Sequence, residues 1–305
     1  MIIAIVGATA TGKTALSLEV ADILGGAEKA EIISADAMQL YRGMDIGTAK
    51  IPYEERRGIA HHQLDVLDVR DEASVAAYQR YARADLEDIQ ARGKTPIIVG
   101  GSGLYVSGLL DELDFPGHDD AIRQQLEEEY GLHGIEKLRE ELRDKDPQAY
   151  EAINPANHRR IIRALEVIRL TGRPFTARFP RHTSHYRDIH MFGVMRDKAV
   201  LRNAIEERTA SMFAHGLVEE TRVLINHGLL EGKTARTATG YREAVSVIQG
   251  DMSVPEAQEA VSTATRKLAK KQRTWFKADP RIEWIDLTFN GVKQSAEHIC
   301  RHLNL

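Results

Sequence analysis

Short apolar runs alternate with amphipathic segments over the first third of the chain. Ile2–Val6 is an apolar run that ends at a glycine, which is typical of a buried parallel strand. Apolar residues recur at helical spacing over Lys13–Leu24 and again over Tyr78–Ile89. Further strands are predicted at Glu31–Ser34 and Ile97–Val99. This alternation predicts an α/β fold, in which a parallel sheet is covered by helices.

The pattern changes in the middle of the chain, where strand-like segments give way to charged segments with helical spacing. Three helical stripes follow one another there, the last over Arg159–Leu170. Strand-like sequence returns at Met191–Val194 and at Trp284–Leu287. The predicted domains are an α/β core with C-terminal helices, formed by residues 1–114 and 186–305, and a helical insertion domain, formed by residues 115–185.

The amino-acid composition restricts the classes of protein to which this chain can belong. Of 305 residues, 43% are hydrophobic and 28% charged, which is ordinary for a globular protein. The net charge of −4 does not indicate nucleic-acid binding, so any contact with RNA must depend on local patches. Cys300 is the only cysteine, which excludes a disulfide framework and favours a cytoplasmic setting. No apolar run approaches the roughly 20 residues of a membrane helix. We expect a cytoplasmic monomer that does not bind membranes.

The first predicted strand leads into a glycine-rich loop that fits the pattern G-x-x-x-x-G-K-[ST] without a mismatch. The loop consists of Gly7, Ala8, Thr9, Ala10, Thr11, Gly12, Lys13 and Thr14. Backbone N–H groups of such a loop wrap a phosphate chain at a helix N-terminus. Lys13 adds a positive charge, and the Thr14 hydroxyl is a candidate ligand of Mg²⁺. The motif indicates a ligand with a diphosphate, but it does not identify this ligand as ATP.

Two polar residues lie just past predicted strands of the same sheet. Asp36 follows Glu31–Ser34, and Ser102 follows Ile97–Val99. Ligands of open parallel sheets bind beyond the carboxyl ends of the strands, which is also where the glycine-rich loop lies. Asp36 could act there as a general base or as a metal ligand through water. It could equally cap a helix or form a turn, and its position alone favours neither interpretation.

Arginines cluster on the third helix of the predicted insertion. The helical spacing places Ile161 on the apolar face and turns Arg159 and Arg163 away from it, so both arginines are predicted to be exposed and available to phosphates. The alternative is a solvated charged face in which Glu166 pairs with Arg163 at i+3. Taken alone, the helix favours this alternative.

A second basic feature lies on a helix predicted over Thr265–Lys277. Four cations share one face at i, i+4, i+7 and i+11, with Leu268, Gln272 and Trp275 opposite. The four cations are Arg266, Lys270, Arg273 and Lys277. No acidic residue interrupts them, so the stripe is a candidate contact for an RNA backbone. The alternative is an ordinary solvated face.

Together these segments resemble the bacterial tRNA dimethylallyltransferases, which are isopentenyltransferases acting on tRNA adenine. The segments with this resemblance are Gly7–Thr14, Ser34–Lys50, His61–Asp65, Val99–Tyr105, Asn157–Glu166, Gly240–Glu243 and Ala264–Gln272. They extend almost from end to end of the chain. The Ser34–Lys50 segment is far more specific than the glycine-rich loop.

The resemblance implies a P-loop NTPase-like core with a helical insertion that binds the anticodon arm of tRNA. It implies dimethylallyl diphosphate as donor, Mg²⁺ as cofactor, and N6 of the adenosine 3′ of the anticodon as acceptor. Asp36 would be the general base, while Thr14 with Mg²⁺, Lys13 and Arg208 would neutralise the leaving diphosphate. The tRNA contacts implied by the resemblance are Asp36, Ala37, Met38, Gln39, Ser102, Arg123, Arg159, Arg160, Ile161, Ile162 and Arg163. The basic stripe adds Arg266, Lys270 and Arg273.

Two positions depart from the pattern of this family. Two arginines four residues apart are usual there, but only Arg208 is present and Ala204 occupies the first position. Ser102 replaces a common threonine and keeps the hydroxyl. Two other functions fit some of the same features. One is a P-loop kinase of small molecules or nucleotides that uses ATP, and the other is a non-catalytic RNA-binding protein with a vestigial loop.

Overall fold

The computed structural model of the protein describes residues 1–175 and 182–305. It divides the chain into two compact units. The first unit comprises Met1–Leu110 and Tyr186–Leu305, and the second comprises Asp111–His185. The second unit thus begins four residues before the predicted insertion at 115. Part of that predicted insertion, residues 176–181, lies outside the described residues.

The first unit is built on a six-stranded sheet in which every pairing is parallel. Its strands are β1 (Ile2–Gly7), β2 (Ala30–Ser34), β3 (His61–His62), β4 (Thr95–Gly100), β5 (Ile189–Met195) and β6 (Ile282–Asp286). They are arranged in the order β3-β2-β4-β1-β5-β6. The predicted parallel α/β sheet is confirmed. Because β1 is central and its side chains alternate between two covered faces, all six of its residues are buried.

Helices cover both faces of this sheet. The helices of the unit are α1 (Lys13–Leu24), α2 (Val75–Ala91), α3 (Gly103–Leu110), α8 (Lys198–Ala214), α9 (Leu217–Asn226), α10 (Tyr241–Gln249), α11 (Val254–Lys277) and α12 (Val292–His302). Ile3 and Ile5 of β1 pack with residues of α1 and α12. Ala4 and Val6 of the same strand pack with residues of α2 and α3 on the other face. None of the described helices is both long and apolar enough to span a bilayer.

The helix α11 is nearly twice as long as the sequence pattern predicts. It begins at Val254, whereas the basic stripe suggests a start at Thr265. Ser253 forms a capping box with Glu256, whose carboxylate accepts a hydrogen bond from the Ser253 amide at 2.8 Å. This starting signal is present in the sequence at Ser253 and Glu256, although the predicted helix begins only at Thr265.

The second unit is helical, with the order α4 (Asp120–His133), α5 (Ile135–Lys145), α6 (Pro147–Ala152) and α7 (His158–Thr171). Leu126 of α4, Leu138 and Leu142 of α5, and Leu165 of α7 are fully or almost fully buried in its core. The predicted helix at Arg159–Leu170 corresponds to α7, which extends one residue further at each end.

Candidate active site

The glycine-rich loop joins β1 to α1 in a conformation that side chains restrict. Gly7 has φ +142°, and a Cβ atom on it would lie 2.5 Å from the Val194 carbonyl oxygen of β5. Gly12 has φ +100° and forms the N-cap of α1. No described side chain caps this helix, and its first N–H groups are of the kind that binds phosphate. The sequence prediction of a phosphate-binding loop therefore has the expected backbone geometry.

Lys13 closes over its own loop. Its ammonium donates a hydrogen bond to the Ala8 carbonyl at 2.7 Å, and the Thr11 hydroxyl donates to the same oxygen at 2.8 Å. Burial lowers the pKa of Lys13 to about 8, with nearby Arg208 adding to the effect and Asp36 opposing it. An anion in the loop would favour the protonated ammonium, so Lys13 is suited to bind a phosphate.

A cavity of about 300 Å³ opens beside this loop. Its lining comes from the P-loop, the segments after β2, β4 and β5, and helix α8. Lys13, Arg196 and Arg208 are the cations among its described lining residues, and Asp36 is the acid. Three positive groups against one negative group suit a multiply charged anion such as a diphosphate.

Asp36 lies at the carboxyl end of β2, as predicted, and lines this cavity. One of its carboxylate oxygens accepts a hydrogen bond from the Met38 amide at 2.9 Å, which is the turn contact expected of a structural aspartate. The turn interpretation of Asp36 is therefore confirmed, and the turn fixes the carboxylate at the cavity. Its role as a general base stays a prediction. The Thr14 hydroxyl lines the same cavity and adds an oxygen donor to it.

The other residues predicted around Asp36 surround the turn. The Ser102 hydroxyl accepts a hydrogen bond from the Ala37 amide at 3.3 Å, and thereby joins the loops after β2 and β4. Gln39 lines the cavity, accepts from the Ser34 hydroxyl at 3.0 Å and donates to the Thr48 carbonyl at 3.2 Å. Met38 is half-buried and packs against the core cluster that contains Tyr41.

Arg208 extends from α8 to the P-loop, where it donates a hydrogen bond to the Thr9 hydroxyl at 2.8 Å. Burial lowers its pKa, although a guanidinium stays protonated at any ordinary pH. The Thr9 amide donates to the Gln272 side-chain oxygen at 2.9 Å. This role of Gln272 was not predicted from the sequence, because it depends on a contact with the distant loop. Gln272 lies on the same buried face as Ala269 and Phe276, where its side chain requires a hydrogen-bond partner.

Arg196 is the second residue that sequence reasoning missed. It follows β5 directly and lines the cavity together with Ala204. Its terminal nitrogen Nη2 lies 3.3 Å from the position that a Cβ atom on Gly12 would take. No motif marks this arginine, because its place beside the loop depends on the pairing of β5 with β1.

The arginines predicted to contact tRNA in the second unit are partly engaged with a buried carboxylate. Glu166 is 0% exposed, and one of its oxygens lies 2.9 Å from Arg123 and 3.1 Å from Arg163. Burial opposes ionisation of Glu166, but hydrogen bonds from the two arginines outweigh it and lower the pKa. Arg163 also donates to the Pro116 carbonyl at 2.8 Å. The prediction that Arg163 is exposed and free for phosphates is wrong, whereas its pairing with Glu166 is confirmed.

The neighbouring residues of α7 divide into buried residues, which contradict the prediction of an RNA contact, and exposed residues, which remain available. Ile161 and Ile162 are 1% and 4% exposed and belong to the core, so their side chains are not available to RNA as the resemblance implied. Arg159 and Arg160 are exposed, as predicted for Arg159. Arg159 also lines a cavity of about 440 Å³ within this unit.

The basic stripe on α11 is shorter than predicted. Arg266 is engaged by Glu206 and Glu259, each at 3.0 Å, and is therefore not a free cation. Lys270, Arg273 and Lys277 are exposed and form no ion pair with any described residue. Leu268 and Trp275 lie opposite the stripe, as expected, but they are 41% and 47% exposed. The buried face of the helix, formed by Thr265, Ala269, Gln272 and Phe276, lies to one side of the stripe.

Comparisons with known proteins show the family of this chain. Residues 39–279 match the family described as IPP transferase. The chain is 51% identical over 97% of its length to a tRNA dimethylallyltransferase of Nocardioides sp., 94% of which is covered. It is 50% identical over 96% of its length to a tRNA dimethylallyltransferase of Nocardia farcinica, 93% of which is covered.

Solved structures show the same similarity. A tRNA isopentenylpyrophosphate transferase from Staphylococcus epidermidis superimposes with a TM-score of 0.73 at 34% identity, covering 99% of this chain and 98% of that one. A eukaryotic dimethylallyltransferase acting on tRNA shares the fold, with a TM-score of 0.84 at 24% identity over 99% of this chain and 78% of that one. Because the family match spans most of the chain and the curated relatives cover nearly all of it, this chain belongs to the IPP transferase family.

Proposed function

We propose that the protein transfers a dimethylallyl group from dimethylallyl diphosphate to N6 of the adenosine 3′ of the anticodon in tRNA. One observation supports this proposal above the others. The cavity beside the P-loop combines three cations, Lys13, Arg196 and Arg208, with the single carboxylate of Asp36. The cations suit a diphosphate, and the carboxylate suits the removal of a proton from an amine.

The reaction needs both kinds of group. The bond between the allylic carbon and the diphosphate oxygen breaks, and its electron pair leaves with the diphosphate. The lone pair of adenine N6 forms the new C–N bond, and the N6 proton passes to Asp36. Negative charge grows on the leaving diphosphate during this step, so Lys13 and Arg208 stabilise the transition state more than the bound donor.

Mg²⁺ fits the oxygen donors of this cavity. The Thr14 hydroxyl and the Asp36 carboxylate both line it, and Mg²⁺ prefers oxygen ligands from protein, phosphate and water. Thr14 would hold the ion directly. The bound ion would neutralise part of the negative charge of the diphosphate.

Binding of tRNA would use separate surfaces. An adenine of a structured loop must turn out of its stack to reach a cavity, and phosphate contacts must hold the surrounding backbone. Lys270, Arg273 and Lys277 provide exposed cations on α11 of the first unit. Arg159 and Arg160 provide exposed cations on the helical unit, to which we assign the anticodon arm.

The test is incubation of unmodified tRNA with dimethylallyl diphosphate and Mg²⁺, followed by mass analysis of the nucleosides. We expect one isopentenylated adenosine per tRNA. A matched tRNA with guanosine 3′ of the anticodon should remain unmodified. Unmodified adenosine in the first tRNA would contradict the proposal, and phosphorylated product with ATP as donor would instead support a kinase.

A further inference from the structure

Arg196 is a cation that lies beside the P-loop and has no ion-pair partner among the described residues. Its Nε atom is buried and has no hydrogen-bond partner in this part of the chain. Its guanidinium forms no ion pair within residues 1–175 and 182–305. A guanidinium cannot lose its proton in a protein, and a buried donor without an acceptor costs free energy. The arrangement is favourable once an anion from outside the protein binds there.

The two carboxylates beside Arg196 at the ends of β5 and β6 are engaged elsewhere. Asp197, the next residue, caps α8 by accepting a hydrogen bond from the Ala199 amide at 2.7 Å. Asp286 pairs with Met195 in the sheet, and its carboxylate accepts from the Thr288 amide at 2.7 Å. Both acids make local turn and cap contacts, and neither forms an ion pair with Arg196.

The position of Arg196 defines which anion it can reach. Its Nη2 atom lies 3.3 Å from the position of a Cβ atom on Gly12, the residue that caps α1. Phosphates bind at such uncapped helix N-termini. Ala204 lines the same cavity with only a methyl group, which leaves room for the longer side chain of Arg196.

We propose that Arg196 is a further ligand of the donor's diphosphate and stabilises it as it leaves. The inference rests on the proposed function, because it assumes that the anion in the P-loop cavity is the diphosphate of the donor. Arg196 supplies from the end of β5 a cation that α8 lacks at Ala204. Its forked N–H groups can bind two phosphate oxygens at once, which the point charge of Lys13 cannot.

The test measures binding of inorganic diphosphate with Mg²⁺ by calorimetry, and steady-state transfer to tRNA, in Arg196→Gln. We expect affinity for diphosphate to fall roughly 10- to 100-fold, as for the loss of a charged hydrogen bond, and kcat to fall as well. The affinity for tRNA without donor should stay unchanged. The matched control is Arg202→Gln on α8, an exposed arginine that pairs with Glu206 at 2.9 Å and should behave as wild type.

Two further variants separate ligand binding from a structural role. Adding Ala204→Arg to Arg196→Gln should restore much of the affinity for diphosphate, because it returns a guanidinium to the cavity from another position. No recovery would assign Arg196 a structural role and overturn the proposal. If Arg196→Gln does not fold, Arg196→Lys retains the charge but not the fork, and its affinity should still fall severalfold.

Diphosphate affinity equal to that of wild type in a folded Arg196 variant would also overturn the inference. The proposed function fails in a different experiment, namely if the wild-type protein modifies no tRNA adenosine. The two failures are therefore distinguishable.

Discussion

Two clusters of positive side chains in this protein have opposite electrostatic designs. In the helical unit, Arg123 and Arg163 surround the buried carboxylate of Glu166, so the protein supplies the counter-charge itself. In the P-loop cavity, three cations share one carboxylate, that of Asp36. The first cluster is complete without a ligand, and the second is completed by an anion. The identity of an arginine's partner therefore separates a structural arginine from one that binds substrate.

The largest effect is expected from Asp36→Asn, which removes the only acid from the described lining of the cavity. If Asp36 is the general base, single-turnover transfer should slow by about 10²- to 10⁴-fold. Affinity for diphosphate should not weaken, because the variant cavity gains net positive charge. Asp251→Asn, at an exposed turn, is the matched control. A near-normal transfer rate would mean that Asp36 serves only as a counter-charge, as Glu166 does.

The Glu166 cluster can be tested through folding. Arg123→Met with Arg163→Met leaves Glu166 buried without its partners, and we expect the free energy of unfolding to fall by about 3 kcal/mol. Adding Glu166→Met should recover much of this loss, because no buried charge remains. Denaturant unfolding measures both variants. If the triple variant is no more stable than the double variant, the arginines contribute by packing instead of by pairing.

The same cluster has a defined pH dependence. The pKa of Glu166 is lowered in the folded protein, so its contribution to stability is present above the unfolded pKa of about 4.3 and is lost as pH falls below it. The wild-type protein should therefore lose stability in acid more steeply than the triple variant. Unfolding curves at pH 7 and near pH 3 compare the two proteins. Equal losses of stability in the two proteins would show that the ion pairs of Glu166 do not lower its pKa.

In the P-loop cavity, a smaller effect is expected from the titration of Lys13. The pKa of Lys13 is about 8, so without a ligand its side chain is mostly protonated below pH 8 and mostly neutral above it. Diphosphate must then bind together with a proton, so its affinity should fall by about tenfold per unit as pH rises above 8. Lys13→Arg keeps its charge and should lack this part of the decline, which also corrects for ionisation of the ligand. If the affinity for diphosphate depended on pH in the same way in both proteins, Lys13 would not be the group that takes up the proton.

Five of the six strands were predictable because their signals are local. The apolar run before Gly7 and the helical spacing after it occur in consecutive residues, and β2, β4, β5 and β6 likewise have strand-like runs. The strand β3, which comprises only His61–His62, was not predicted. The P-loop residues and Asp36 were found for this reason. Both lie where a strand ends, and parallel strands end at one edge of the sheet.

Arg196 and Gln272 were not predictable in this way, because the role of each depends on residues that are distant in the chain. Gln272 contacts Thr9 across 263 positions of the chain, and Arg196 lies beside Gly12 only because β5 pairs with β1. Trp275 also has a contact that only the fold shows, because its ring lies against Gly103, where a Cβ atom would come within 2.3 Å of it.

The smallest effect is expected on α11, where paired and unpaired cations share one helix face. Lys270 and Arg273 are exposed without ion pairs among the described residues, whereas Arg266 is held by Glu206 and Glu259. Neutralising Lys270 and Arg273 together should reduce the slope of log K for tRNA against log salt by about one unit per lost phosphate contact. Arg266→Gln should leave the slope unchanged, because its charge is already balanced. Lys29→Ser with Lys293→Ser, two exposed lysines elsewhere, is the control for net charge. An unchanged slope in the first variant would make the stripe an ordinary solvated surface, and Arg159 and Arg160 would then have to supply the phosphate contacts.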